Sequence, residues 1–168
     1  LWTMFTNNEA DLWKNSIEYM HDAVYYYSLW NGDYPYKQCS AVDGTISAGG
    51  GMEYPNVTVI GEMGNAISLD EVITHEVGHN WFYGMLGSNE RDHPWMDEGL
   101  NSHNEMRYMR IKYPDYNMVT GSLPKFIKKT LDLEDYTNKH IYGEMTYFMN
   151  VWTGKDQPIE LHSAEYTE

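Results

Sequence analysis

Residues 68–79 read Ser-Leu-Asp-Glu-Val-Ile-Thr-His-Glu-Val-Gly-His, a stretch that joins a helix start to two histidines four residues apart. A serine followed three residues later by a glutamate, here Ser68 and Glu71, is typical of a helix N-terminus. The two side chains hydrogen-bond backbone N–H groups that have no partner inside the helix. The sequence therefore predicts a helix that begins at Ser68 and runs to about Leu86, where Gly87 can end it.

His75 and His79 are expected to share one face of this helix, because residues four apart are neighbours on a helix surface. Both imidazoles can then bind one metal ion, and the carboxylate of Glu76 can reach a water at that ion. Nitrogen ligands suit Zn²⁺, which at catalytic sites takes three protein ligands and leaves one position open. A five-residue pattern with two fixed residue types also arises by coincidence, so a third ligand decides between the two interpretations.

A candidate third ligand follows downstream. Residues 95–100 read Trp-Met-Asp-Glu-Gly-Leu, and eighteen residues separate His79 from Glu98. We expect a second helix to begin near Asp97, so that Glu98 folds back and completes a His, His, Glu set for one Zn²⁺ per chain. The alternative role for Glu98 is that of a helix N-terminal carboxylate stabilised by the helix dipole.

The composition is that of a folded protein. Among 168 residues, 42% are hydrophobic, and 25 Asp and Glu outnumber 11 Lys and Arg for a net charge of -14. The hydrophobic content argues against a disordered polyanion, and the acidic excess argues against a nucleic-acid partner, because phosphate contacts need clustered cations. No apolar run approaches the length of a transmembrane helix, and a single cysteine excludes a disulfide framework.

The pattern of elements predicts an α+β fold, with a helical stretch, a small sheet and then further helices. The first helical pattern covers residues 8–30 and ends at Asn31-Gly32. Short β-prone segments and later helical patterns follow, at residues 39–42, 57–60, 97–112, 123–131 and 140–152.

Three segments of the chain resemble the M1 family of zinc aminopeptidases, a branch of the gluzincins. The first two are residues 75–79 and, after the eighteen-residue gap, residues 95–99. The third is residues 50–55, Gly-Gly-Met-Glu-Tyr-Pro, which resembles the family's Gly-x-Met-Glu-Asn motif with tyrosine after the glutamate. Residues 79–84 also resemble its His-Gln-Trp-Phe-Gly continuation. The likeness covers about residues 48–105 and implies the core of a thermolysin-like catalytic domain.

The resemblance implies a zinc-dependent aminopeptidase that hydrolyses the N-terminal bond of peptides with a free amine. It implies these roles for the residues: metal ligands His75, His79 and Glu98; catalytic base Glu76; substrate-binding residues Gly50, Gly51, Met52 and Glu53. A fixed carboxylate such as Glu53 can bind an α-ammonium through a charged hydrogen bond, and its alternative role is that of a surface glutamate in a glycine-rich loop. The two glycines would leave backbone groups open to an extended peptide.

Some features of the family do not lie in this sequence. Its oxyanion tyrosine stands in a Tyr-x-Lys-Gly setting, which follows neither Tyr142 nor Tyr147. Residues 156–159 resemble the segment that precedes that tyrosine, so we expect it beyond Glu168. Residues 1–168 would then be one truncated catalytic domain, weakly active or inactive alone, whose partners include the absent N-terminal β-domain and C-terminal helical domain of the parent protein.

Two other functions fit parts of the sequence. A thermolysin-type zinc endopeptidase would share the ligands and Glu76 but would not need Glu53. A catalytically incompetent metal-binding or interaction domain would need the ligands alone.

Overall fold

The computed structural model of the chain describes residues 1–46, 49–114, 116, 125–130 and 142–166. These residues divide into two compact units, Leu1–Met106 with Ile159–Glu168, and Arg107–Pro158. The first unit contains every residue that the sequence assigns to the metal centre and to substrate binding. No helix in the described ranges is both long and apolar enough to span a membrane.

The described elements mix helices and short strands, which confirms the predicted α+β class. In chain order the first unit contains β1 Trp2–Met4, a 3-10 turn Asn7–Glu9, α1 Ala10–Trp13, α2 Ser16–Asn31, β2 Ser40–Asp43, β3 Gly51–Met52, β4 Val57–Ile60, α3 Ala66–Gly78 and a π-helical turn Trp95–Gly99. Helix α4, Leu100–Lys112, follows directly, and the second unit contains α5 Lys125–Thr130 and α6 Tyr142–Thr153. The predicted helical residues 123, 124, 131, 140 and 141 lie outside the described residues.

The strands form one four-stranded sheet in the order β1-β2-β4-β3. The pairs β1–β2 and β2–β4 are parallel, whereas β3 runs antiparallel to β4 and places Gly51 opposite Ile60. The sequence predicted β2 and β4 but missed β1 and β3, because strands of three and two residues are too short to show alternation. As the last strand of the sheet, β3 holds the glycine-rich segment at the edge.

The core lies between the sheet, α2 and α3. Helix α3 contributes Leu69, Ile73 and Val77, which are fully buried and recur every four residues. Helix α2 and the sheet contribute a second set of buried side chains, namely Tyr19, Met20, Ala23, Tyr27, Ala41 and Ile60. The spacing rule also placed Ile17 with the apolar residues of α2, but its side chain is 48% exposed.

The predicted continuous helical stretch over residues 8–30 is wrong at its start. Helix α1 ends at Trp13, and α2 begins at Ser16. Asn15 is the N-cap of α2, and its carbonyl oxygen accepts the first backbone hydrogen bonds of that helix, from Glu18 and Tyr19, at 3.0 and 3.2 Å. Its side chain makes no capping hydrogen bond, so asparagine's preference for this position does not explain the break. The predicted end is confirmed, since α2 stops at Asn31 before Gly32, whose φ is 100°.

The predicted start of α3 at Ser68 is wrong by two residues. The helix begins at Ala66 because Asn65 caps it, with Oδ1 accepting from the N–H groups of Ile67 and Ser68 at 3.0 Å each. Asn65 Nδ2 also donates to Ser68 Oγ, so the serine hydroxyl is engaged with the cap. Asparagine is as good a cap as serine, and here the earlier residue takes the position.

The predicted end of α3 near Leu86 is also wrong, because the helix stops at Gly78. The N–H groups of residues 84–86 bond to the carbonyls of residues 79–81, five positions earlier, at 2.9 to 3.1 Å. These bonds follow a last α-type bond, from the Phe82 N–H to the Gly78 carbonyl oxygen at 3.2 Å, and replace the α-helical pattern from Gly84 onward. The apolar side chains after His79 extended the helical pattern in the sequence, but Met85 and Leu86 are exposed.

Gly78→Ala is expected to destabilise the protein by about 1–3 kcal/mol, the usual cost of overpacking a core. A Cβ at Gly78 would overlap Asn101 Oδ1 and the ring of Tyr27. These two groups hydrogen-bond each other at 2.9 Å and are both buried, so neither can move freely. Urea unfolding measures the loss. Gly87→Ala is the control, since nothing lies within 4 Å of a Cβ there, and equal losses in the two variants would contradict the packing argument.

Candidate metal centre

Three side chains converge at the C-terminal end of α3. His75 Nε2 lies 3.1 Å from His79 Nε2 and 3.2 Å from Glu98 Oε2, and the remaining distance, from His79 Nε2 to Glu98 Oε2, is 3.7 Å. An ion that binds ligands at 2.0–2.2 Å in tetrahedral geometry separates its donor atoms by roughly 3.3–3.6 Å. The three donors therefore fit a single ion of the size and ligand preference of Zn²⁺.

The second nitrogen of each histidine ring faces an acceptor. His75 Nδ1 lies 2.7 Å from Glu105 Oε2, and His79 Nδ1 lies 3.1 Å from the Phe82 carbonyl oxygen. A carboxylate and a carbonyl can only accept, so each ring carries a proton on Nδ1. If both rings are neutral, the Nε2 lone pairs point toward each other and toward Glu98. Either a cation between them or a proton on His75 Nε2 satisfies this arrangement.

The electrostatic field at this point favours positive charge. Burial opposes the protonation of His75, but hydrogen bonds to Glu105 and Glu98 outweigh it and raise the pKa of His75 to about 10. The hydrogen bond from His75 lowers the pKa of Glu98, which keeps that carboxylate ionised. A field that holds a proton so strongly also attracts a divalent cation, because both respond to the same carboxylates.

Asn101 joins the two elements that carry the ligands. This fully buried residue follows the π-helical turn and donates from Nδ2 to the His75 carbonyl oxygen at 2.7 Å. Its Oδ1 accepts a hydrogen bond from Tyr27 at 2.9 Å. The amide thus ties the start of α4 to α3 and α2, and it sets the distance from which Glu98 reaches the histidines.

The segment before Glu98 has a second anchor. Glu160, near the end of the described chain, accepts from His93 Nδ1 at 2.8 Å and from Trp95 Nε1 at 3.1 Å. The sequence assigned His93 no function, and the structure gives it this contact. Because Trp95 opens the π-helical turn, the interaction holds the turn that carries Glu98.

Glu76 is next to the ligands and is buried, with 6% exposure. Its Oε2 atom has no hydrogen-bond partner among the described residues. Burial raises the pKa of Glu76 to about 8, with further increases from Glu53 and Glu98 and an opposing effect from His75. A buried carboxylate oxygen with a free lone pair beside a metal site is suited to accept a proton.

Gly51 makes room for Glu76. A Cβ at position 51 would overlap the Glu76 side chain at Cγ, Cδ and Oε1. Only glycine therefore lets β3 pass this close to the carboxylate. The expected open backbone of the segment is only partly present, because the Gly50 carbonyl oxygen already accepts from the Gly61 N–H at 2.8 Å.

Glu53 reaches the same site from the edge of the sheet. It follows Met52, whose carbonyl oxygen accepts a hydrogen bond from Thr58 Oγ1 at 3.1 Å. Carboxylate oxygens of Glu53 and Glu76 and a nitrogen of His79 all lie within 4.8 Å of one another. This second group shares His79 with the first. Because His79 Nδ1 faces the Phe82 carbonyl, only Nε2 is available, so the two groups cannot each hold an ion.

Sequence reasoning missed Glu105, Asn101 and Glu160. Of these three, only Glu105 has a position that could have indicated its role. It lies seven residues after Glu98, which is about two helical turns, so the two residues fall on the same side of a helix. Tyr142 and Tyr147, the two tyrosines compared with the family's oxyanion tyrosine, both belong to α6 in the second unit. The side chain of Tyr142 lies outside the described residues, and Tyr147 is 57% exposed.

Glu105→Gln is expected to weaken zinc binding by about 10–100-fold, the usual effect of removing a partner that orients a metal-ligating histidine. Glutamine keeps the shape but gives up the negative charge that holds the proton on His75 Nδ1. Competition with a chelating dye measures the dissociation constant. Glu18→Gln makes the same change in charge on an exposed residue of α2 and should leave the constant unchanged; a loss as large in Glu18→Gln would mean that net charge alone is responsible.

The candidate metal ligands, the buried Glu76 and the half-buried Glu53 thus form one group within the first unit. The chain matches no protein-family model, and it matches no curated protein.

Proposed function

We propose that this chain is the catalytic core of a zinc-dependent aminopeptidase with a thermolysin-like fold, similar to the M1 family. The proposal rests on the convergence of His75, His79 and Glu98 beside the unpartnered oxygen of Glu76. Structural zinc sites have four protein ligands, whereas catalytic sites have three. Three donors meet here among the described residues, and Glu98 is exposed, so solvent can reach the remaining position.

The mechanism follows from the placement of Glu76. When bound, Zn²⁺ would polarise the scissile carbonyl and acidify a water molecule. Glu76 takes a proton from the water on Oε2 as the water oxygen attacks the carbonyl carbon. It then delivers this proton to the nitrogen of the leaving amine as the C–N bond breaks. A pKa of about 8 is close to neutral pH, which suits a group that both accepts and donates a proton.

Glu53 supports an exopeptidase over an endopeptidase. Its carboxylate lies within 4.8 Å of Glu76 and His79, on the side of the site next to the sheet edge. A substrate ammonium bound to Glu53 would place the first peptide bond beside Glu76. An endopeptidase has no use for a carboxylate at this position, because a peptide that continues past it carries no charge there.

Glu53→Ala is expected to lower kcat/KM for peptides with a free N-terminus by about 10–100-fold, since a hydrogen bond to a charged group contributes about 1.5–3 kcal/mol. The loss on N-acetylated peptides of the same sequence should stay within about threefold, because they never used the contact. Steady-state kinetics on both substrates decide the role of Glu53. The Glu18→Ala variant, which removes an exposed charge from α2, serves as the control.

Two results would favour one of the other two functions instead. Equal losses on free and acetylated peptides in Glu53→Ala would favour the zinc endopeptidase. A protein that carries this chain together with the expected oxyanion tyrosine, binds one zinc and hydrolyses neither substrate would favour the metal-binding domain without activity.

A further inference from the structure

A cavity of about 320 Å³ lies beside the candidate metal centre. Glu53 and His79 form one of its walls, and the rings of Tyr36, Pro55 and Tyr83 also line it. Ligand pockets range from about 300 to 1,000 Å³, so this one is at the small end. Its size suits one amino-acid side chain rather than a length of peptide.

The backbone is strained at this cavity. Among the described residues, the non-glycine positions with positive φ are Asn56, at 63°, and Tyr83, at 105°, and both line the cavity. Asparagine tolerates this region, but an aromatic residue does not. Strained residues persist where the surrounding structure holds them, and they cluster at binding sites. The strain at Tyr83 keeps a phenol ring at a position where glycine would be relaxed.

The amide oxygens of the two asparagines in the wall already have partners. Asn80 Oδ1 accepts from the Asn56 N–H at 3.2 Å, and Asn80 Nδ2 donates to the Val77 carbonyl oxygen at 2.9 Å. Asn56 Oδ1 lies 3.0 Å from the hydroxyl of Tyr34. Because these amide oxygens are engaged, an occupant would make few hydrogen bonds to the asparagines. The aromatic and proline rings would supply most of its contacts.

Packing behind the cavity holds one of its rings in place. Tyr36 meets Tyr34 edge to face, with ring centroids 5.4 Å apart, and Tyr34 in turn packs on Trp81 at 5.3 Å. Trp81 is buried and donates from Nε1 to the Gly32 carbonyl oxygen at 2.8 Å. The Tyr36 ring is therefore supported by the core, and such a preorganised wall favours a flat, rigid occupant.

We propose that this cavity, the aromatic pocket, binds the side chain of the N-terminal residue of the substrate and selects large, uncharged, aromatic side chains. The inference rests on the proposed function, because Glu53 would hold the ammonium of that same residue. The α-carbon is bonded to both the amine and the side chain, so a group bound at Glu53 places its side chain in the cavity that Glu53 lines.

The charges at the pocket argue against a cationic side chain. Glu53 is the one carboxylate among the residues that line it, and the α-ammonium would occupy that carboxylate. A lysine or arginine side chain would then be buried against rings without its own anion, at a cost in desolvation. A small side chain such as that of alanine would fill little of the volume and leave the rings in contact with water.

Equilibrium binding tests the pocket without relying on turnover. Calorimetry compares phenylalaninamide, alaninamide, lysinamide and N-acetyl-phenylalaninamide on the complete chain, with and without zinc. We expect phenylalaninamide to bind at least about tenfold more tightly than alaninamide, from the burial of its ring. Lysinamide should bind no better than alaninamide.

Tyr83→Gly removes the ring and also relieves the backbone. Its melting temperature should therefore equal or exceed that of the wild type, while the preference for phenylalaninamide over alaninamide falls to about threefold or less. Tyr83→Phe keeps the ring and should keep the preference. Tyr25→Ala removes an exposed tyrosine of α2 and is the control.

The outcomes separate the pocket from the proposed function. The pocket would be overturned if phenylalaninamide and alaninamide bound within twofold of each other, or if lysinamide bound as tightly as phenylalaninamide. It would also be overturned if no amide bound, or if Tyr83→Gly kept the preference of the wild type. If phenylalaninamide still bound more tightly than alaninamide, but N-acetyl-phenylalaninamide bound as tightly as phenylalaninamide, the pocket would be supported. Glu53 would then not be the group that binds the amine.

Discussion

The Glu76→Gln variant should bind zinc normally and lose about 10²–10⁴-fold in kcat, the usual contribution of a positioned general base. Glutamine matches glutamate in shape, and Glu76 does not belong to the proposed ligand set of His75, His79 and Glu98. The unpartnered Oε2 would become part of an amide that cannot accept and return a proton. Steady-state kinetics on a peptide with a free amine, together with metal analysis, measures the two effects separately.

The control for this variant is Glu18→Gln, an exposed residue of α2 outside both groups of converging side chains. It should lose far less activity than Glu76→Gln. Turnover close to that of the wild type in Glu76→Gln would show that another group accepts the proton. Loss of zinc together with activity would instead give Glu76 a role in metal binding.

Zinc at about one hundred times its dissociation constant should raise the free energy of unfolding by about 2.7 kcal/mol in the wild type and by nothing measurable in His79→Ala. An ion that binds the folded chain, and not the unfolded one, stabilises it by this amount. His79 is 2% exposed, and its Nε2 lies 3.1 Å from His75 Nε2 and 3.7 Å from Glu98 Oε2. Urea unfolding with and without zinc gives the difference for each protein.

His21→Ala is the matched control, because the His21 side chain is 70% exposed and lies on α2. It should gain as much from zinc as the wild type does. If His79→Ala gained equally, the ion would bind elsewhere. If neither protein gained, the converging side chains would form a hydrogen-bonded network without a metal.

Local spacing predicted the part of the site that lies within one helix. His75 and His79 share a face because a helix repeats every 3.6 residues, and this holds even though both predicted ends of the helix are wrong. The ends were harder to predict because Asn65 and Ser68 are both good caps, and only the folded chain shows which of them accepts the hydrogen bonds.

Residues from different elements that act together were harder to predict. Glu98 was proposed as the third ligand from the helix expected near Asp97 and then from a family's spacing, whereas in the structure its position depends on Asn101 and Glu160. Neither contact leaves a pattern in the sequence, since Asn101 bonds a carbonyl 26 positions away and Glu160 bonds an indole 65 positions away. The close approach of Gly51 to Glu76 is likewise a contact between a strand and a helix.

By itself the sequence determined the α+β class and the shared helix face of His75 and His79, because short-range periodicity and composition carry that information. Tertiary structure alone decided which oxygen of Glu76 lacks a partner, which acceptors orient the histidine rings, and where a cavity with a strained Tyr83 opens. The physical reason is that burial, electrostatic field and cavity shape depend on how distant segments pack. Those distances are set when α2, α3 and the sheet close around one core.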